Sequence, residues 1–133
     1  MTLDADYALT TARYADDGAY IPNSVGRVIS AGATVVAPNG LFGTIRFRHF
    51  GVVPLDEAGE FWSGDTNIVN LGAGYKQKWY KFEVNVFNIL GSESNDIAYA
   101  YDYAYPNGAA TATGILKHPI EPRMVRGTIT LNF

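Results

Sequence analysis

The 133-residue sequence contains no cysteine, which excludes disulfides and thiolate metal sites. It has no apolar run of about 18 residues, so no transmembrane helix is encoded. Its opening, "MTLDADYALTTARYA", lacks the basic and apolar regions of a secretory leader. Histidine is scarce. His49 and His118 are the only two, far apart, and no histidine or carboxylate cluster has metal-ligand spacing. Both histidines are expected to be ordinary surface or loop residues, with no metal and no cofactor bound. No nucleophile–base pair stands out either, so no catalytic residues and no enzyme are expected. Basic charge is also short: the net charge is −3 and the pI about 5.2, which argues against a nucleic-acid partner.

What remains is strand and turn. Glycine occurs 14 times and tyrosine 9 times. The last nine residues alternate, with Val125, Gly127, Ile129, Leu131 and Phe133 on one face and Arg126, Thr128, Thr130 and Asn132 on the other. Period two over that length predicts a half-apolar strand. The same reading predicts six more, over about Leu3 to Tyr14, Val25 to Val36, Leu41 to Phe50, Thr66 to Tyr75, Trp79 to Leu90 and Asp96 to Tyr105. The alternation of the second is poor. "APNG" and "KQK" are tight connections, Asn-Gly being a strong hairpin signal. Pro106 to Pro122 is expected to be a loop. The fold class is therefore all-β, an antiparallel up-and-down meander of about seven strands in one domain, 1–133.

The alternation fits two homes. A soluble sandwich or small barrel turns its apolar face inward, whereas a membrane barrel turns it to lipid around a polar lumen. The face opposite the apolar one carries small and charged residues rather than a lysine-rich coat, and the apolar face is rich in tyrosine, which suits membrane interfaces. Asp4, Asp6, Arg46, Arg48, Lys81 and Glu83 fall on polar faces. Arg46 and Arg48 are expected to pair across strands with carboxylates such as Asp4, Asp6 or Glu83. Lys81 and Glu83 read as a same-face ion pair. Tyr99, Tyr101, Tyr103 and Tyr105 read as a lipid-facing girdle, with a sugar-stacking platform as the alternative.

Several stretches together resemble the C-terminal barrel of a TonB-dependent outer-membrane receptor. "FEVNVFNILGSESN" is similar to the family's turn after an alternating strand, with Asn88 in the asparagine position. Pro122 and Arg123, after Glu121, match a Pro-Arg pair that opens the last strand. "LDADYALTTARY", "IPNSVGRVISAG" and "IRFRHFG" resemble one branch of the family, and the terminal aromatic resembles the barrel assembly signal, here Gly127, Ile129, Leu131 and Phe133. The resemblance implies a partial transmembrane β-barrel in the bacterial outer membrane, serving active uptake of a nutrient such as an iron chelate. It implies outer-membrane lipid and the barrel-assembly machinery as partners. The energy-coupling protein would act only through an N-terminal plug region, which these 133 residues do not contain. The family barrel has about 22 strands, so seven are expected to be a fragment. It also implies that the "FNILGSESN" turn is periplasmic, and that Pro106–Pro122, "APNG" and "KQK" are external. The alternative reading is a soluble β-sheet binding module for carbohydrate, built on the tyrosine ladder.

Overall fold

A computed structural model of the chain describes residues 1–104 and 111–133. It is all-β and antiparallel, and the described residues form eight strands: β1 (Thr2–Leu9), β2 (Arg27–Val36), β3 (Leu41–Phe50), β4 (Thr66–Lys76), β5 (Tyr80–Phe87), β6 (Asn95–Ala104), β7 (Thr111–Pro119) and β8 (Met124–Leu131). Six of them make one sheet in the order β1-β2-β3-β4-β5-β8, while β6 and β7 form a separate two-stranded ribbon.

Residues directly opposite in an antiparallel ladder share a face, so the register assigns every side chain. Leu3, Ala5, Tyr7 and Leu9 of β1 align with Ala33, Ala31, Ile29 and Arg27 of β2. Ala33, Ala31 and Ile29 align in turn with Ile45, Phe47 and His49 of β3, and these with Leu71, Val69 and Asn67 of β4. Leu71, Ala73 and Tyr75 oppose Val86, Val84 and Phe82 of β5. Tyr80, Phe82, Val84 and Val86 then oppose Leu131, Ile129, Gly127 and Val125 of β8. One face of the sheet is thus apolar over six strands.

No second layer covers that face. Leu3, Tyr7, Leu9, Val35, Leu41, Ile45, Phe82, Val125, Ile129 and Leu131 are all exposed, Ile129 at 71%. The buried apolar side chains among the described residues are Leu55 and Ala98, and neither belongs to the six-stranded sheet. The sheet is therefore a wall held by its ladders, not one half of a packed sandwich.

Three expectations need correction. Pro106–Pro122 is not all loop: Thr111–Pro119 is a strand paired with β6, and residues 105–110, including Tyr105 and Pro106, lie outside the described residues. Its faces explain the miss. Ala112, Gly114, Leu116 and His118 share one and Thr111, Thr113, Ile115 and Lys117 the other, so neither is apolar and no period shows. Second, β5 pairs with β8 rather than β6, so the wall has one strand fewer between "FNIL" and the terminus than a simple meander would. Tyr80 lies opposite Leu131 and Phe87 opposite Met124. The turn after β5 therefore sits at the sheet edge opposite Phe133, and the 37–40 and 77–79 turns sit at the edge of Phe133, the reverse of the expected sidedness. Third, the first strand stops at Leu9 rather than Tyr14, and the last at Leu131, although the Asn132 amide still donates to the Trp79 carbonyl at 2.9 Å.

The two edges differ. Turns at the Phe133 edge are short, 37–40 and 77–79. At the other edge the strands are joined by 10–26, 51–65 and 88–123, the last containing the β6–β7 ribbon.

Candidate functional site

The polar face is organised by glycines. Asp4, Gly32, Arg46 and Asn70 form one row across β1 to β4. A Cβ on Gly32 would lie 2.8 Å from both Asp4 carboxylate oxygens. The missing side chain lets Asp4 lie over β2 and meet Arg46, 3.4 Å away. The expected pairing of Arg46 with Asp4 thus occurs across an intervening strand. Asp6 instead accepts from the Ser30 hydroxyl at 3.1 Å. Arg48, in the same row as Ser30, has no carboxylate partner among the described residues. In the next row Thr44 and Asn85 lean over Gly72 from either side, each 2.6 Å from where its Cβ would stand. Beyond it, Phe42 covers Gly74, and the Lys81 ammonium lies 5.0 Å from the centre of the Phe42 ring. Lys81 also pairs with Glu83, whose other contact is the Asn85 amide at 2.9 Å. Arg126 stacks its guanidinium over Phe87 at 5.0 Å. These side chains make a mixed-charge lining that folds over the glycines and fills the space a Cβ would take.

Asn88 is the most constrained residue at the long-connection edge. It is 2% exposed, with φ at +48°, a left-handed conformation that asparagine tolerates better than most residues. Its backbone N–H donates to the Asn70 side chain at 2.9 Å. Its amide nitrogen donates to the Ser92 and Glu121 carbonyls, both at 3.0 Å, and its amide oxygen accepts from the Ser92 N–H at 2.9 Å. Glu121 is separated from it by 33 positions. Arg123 lies over Gly91, where a Cβ would stand 2.8 Å from its Nη2. The turn at Asn88 and the Glu121-Pro122-Arg123 segment, read separately in the sequence, are one structure: a clamp closing the β6–β7 excursion at its base.

Between this edge and the ribbon lies a cavity of about 340 Å³. Phe50, Thr66 and Ile68 of the sheet's polar face line one side, and Ile97, Ala98 and Tyr99 of β6 line another. The Thr66 hydroxyl donates to the Asn95 carbonyl at 3.1 Å, tying ribbon to sheet. On the ribbon, Tyr99, Tyr101 and Tyr103 do share a face, with Tyr101 and Tyr103 rings 5.7 Å apart above Gly114. They stand outside the six-stranded wall, so the ladder is not a girdle on it. His118 is on β7, not in a loop, and its Nδ1 lies 2.7 Å from Asp96 Oδ1. That bond to the imidazole holds the Asp96 carboxyl below the usual carboxylate range, against a smaller opposing effect of burial.

His118 is exposed, whereas His49 is not a surface residue. It is 7% exposed, at the end of β3 on the apolar face. Arg27 Nε donates to its Nε2 at 3.1 Å. Because arginine can only donate, Nε2 is the acceptor and the proton is on Nδ1, which donates to Asn67 Oδ1 at 2.9 Å. The Asn67 amide nitrogen donates in turn to Asp65 at 2.9 Å. This row was missed because its members are 22 and 18 positions apart. A signal was available: each is a polar residue in phase with an apolar frame, and all three fall at the same end of adjacent strands.

The aromatic flank of the apolar face lies at the other end. Tyr75 and Tyr80 rings are 6.1 Å apart, and Trp79 stands edge-on to Tyr80 at 4.6 Å. Gly127, Ile129 and Leu131 lie on the apolar face of β8, and Phe133 extends beyond it fully exposed. Among the described residues no cluster of three or more histidines and acidic residues could hold a metal ion. Comparison with protein families, with characterised proteins and with solved structures finds no match to this chain.

Proposed function

We propose that the chain is part of the barrel wall of a TonB-dependent outer-membrane receptor, which admits a scarce nutrient such as an iron chelate. The observation that carries this reading is a wall whose uncovered apolar face ends in unequal edges. Short turns at one edge and long connections at the other are the habit of bacterial outer-membrane barrels, with the short turns periplasmic. The apolar face has a fitting height. From the Arg27–His49–Asn67 row to the Tyr75–Trp79–Tyr80 flank, β4 advances eight residues, about 26 Å along the strand. A tilt of about 40° reduces this to about 20 Å, close to the about 25 Å band of such barrels.

In this reading the apolar face meets outer-membrane lipid. Asp4, Asp6, Arg46, Arg48, Lys81, Glu83 and Arg126 line the lumen. The free edges of β1 and β8 pair with further barrel strands, since an open ladder edge is an aggregation hazard. Gly127, Ile129, Leu131 and Phe133 present the assembly signal to the barrel-assembly machinery. The energy-coupling protein acts through a plug region rather than through these strands. What speaks against a soluble carbohydrate-binding module is the apolar face itself: a soluble domain would leave an apolar patch far larger than monomers usually expose.

The test is refolding of the chain from urea with and without lipid vesicles. Far-UV circular dichroism should show strand, and protease should spare β1–β5 and β8, only with lipid or detergent present. A monodisperse, cooperatively folding monomer in plain buffer would refute the membrane reading and favour the soluble module.

A further inference from the structure

We propose that Arg27, held at the end of the apolar face by His49 and Asn67, is a binding site for the phosphate of a membrane lipid headgroup. The inference rests on the membrane reading above and adds a ligand to a part of the wall that the transport reading does not use. Three observations carry it.

The first is position. Arg27 shares a face with Leu9 across the ladder and with Ile29 two residues along β2. Every face-mate of Arg27 on β2, from Ile29 to Val35, is small or apolar. A charge in that frame is costly in hydrocarbon and stable at the boundary with headgroups. The second is that the guanidinium is pre-set. Its Nε–H is spent on His49 Nε2, His49 is fixed in one tautomer by Asn67, and Asn67 is anchored to Asp65. A guanidinium presents five N–H donors in a rigid fork. With one used to hold it, the Nη groups of an exposed side chain remain for an anion, and little rotamer entropy is left to lose on binding. The third is that no carboxylate neutralises it: among the described residues Arg27 takes part in no ion pair. Gly51 leaves the flank of the side chain open, since a Cβ there would stand 3.2 Å from Arg27 Cβ and 3.5 Å from Nε.

Arginine matches phosphate oxygens with paired charge-assisted bonds. A lipid phosphate seated there would place its acyl chains against Leu9, Tyr7 and Ile29, which are apolar and adjacent. Being at the long-connection edge, the site belongs to the outer leaflet in the proposed orientation.

The chain is reconstituted in vesicles containing equal amounts of phosphatidylglycerol and a phosphate-free diglucosyl lipid. It is then released for native mass spectrometry, which counts retained lipids. The wild-type chain should retain phosphatidylglycerol in preference. Arg27→Gln should reduce that preference about fivefold, the worth of one cation at a membrane surface. Arg27→Lys should recover part of it, because it keeps the charge and loses the bond that orients the fork. Equal preference in wild type and Arg27→Gln overturns the proposal while leaving the barrel reading intact. Retention of inorganic phosphate in detergent with no preference between the two lipids assigns the site to a free anion and overturns the lipid assignment.

Discussion

Replacing Asn88 should unfasten the wall from its longest excursion. The Asn88→Ala substitution deletes three side-chain hydrogen bonds, two to Ser92 and one to Glu121. Each such bond contributes about 0.5–1.5 kcal/mol net. Alanine at φ +48° adds about 1 kcal/mol of left-handed strain. The expected loss is therefore about 3–5 kcal/mol, large for a residue outside any strand. Asn88→Gly removes the strain but not the lost bonds, so it should fall about 1 kcal/mol short of alanine. Asn88→Asp is the sharper test. The introduced carboxylate keeps the acceptor for the Ser92 N–H, but turns a second oxygen toward the Ser92 and Glu121 carbonyls. In a site only 2% exposed that repulsion is poorly screened, and an ionised acid there should cost at least as much as alanine. Its folded pKa is raised, so its destabilisation should shrink as pH falls and the protonated acid regains a donor. The assay is urea unfolding in detergent micelles, followed by fluorescence of Trp62 and Trp79 at neutral and mildly acidic pH. If Asn88→Ala loses less than about 1 kcal/mol, or the aspartate variant has no pH dependence of its own, the clamp is not what closes the excursion.

Three further outcomes are expected. Gly74→Ala should cost about 1–3 kcal/mol or more by overpacking, because its Cβ would meet the Phe82 backbone carbonyl as well as the Phe42 ring; Gly127→Ala, with nothing within 4 Å, should be neutral in the same unfolding measurement. Ile45→Arg, midway along the apolar face of β3, should cost about 2–4 kcal/mol in vesicles, while Thr44→Arg on the polar face costs little; equal costs would mean the two faces see the same solvent. The third concerns Asp96, whose folded pKa is lowered by His118. It contributes stability that is present above its unfolded pKa of about 3.9 and lost as pH falls through the lower folded value. Amide-exchange protection of the β6–β7 ribbon should drop in that acid window, and Asp96→Asn should lack that part of the drop.

The faces of β3, β4, β5 and β8 were legible because their apolar residues recur strictly at every second position. The tight turn before Leu41 was legible because Asn-Gly has few other uses. β2 resisted reading for a physical reason. "RVISAGATVV" puts small or apolar residues on both faces, so only its ladders to β1 and β3 define which side Ser30 and Gly32 occupy. The ribbon misled more. "DIAYAYDYAY" alternates as well as any wall strand, and period two says that a strand is half-apolar, not which sheet it joins. Counting it as wall put "FNILGSESN", "APNG" and "KQK" at the wrong edge relative to Phe133, because one extra strand in an antiparallel series exchanges the two edges. The Asn88 clamp and the Arg27 row are illegible for another reason. Both join residues whose proximity is created by register, and single-chain periodicity carries no register between distant strands.

The clamp also explains how neighbouring wall strands tolerate so long an interruption. A hairpin of about four residues between β5 and β8 would set their register by turn geometry alone. Here the connection spans 88–123. Lengthening a loop by three doublings costs only about 2 kcal/mol in closure entropy, but it loses all local control of register. Asn88 restores that control at the base. Its side chain holds the outgoing leg at Ser92 and the returning leg at Glu121, and Arg123 lies over Gly91 between them. Of its three bonds, the one to Glu121 spans the excursion and contributes about 0.5–1.5 kcal/mol, which offsets part of the added closure cost. Leu131 can then meet Tyr80, and Met124 meet Phe87, whatever the ribbon does beyond the clamp. The wall and the ribbon are thereby separated energetically. The wall strands keep their strict alternation, while the ribbon beyond Ser92 is free to carry tyrosines, an ion pair and a cavity without disturbing the ladder that closes beneath it.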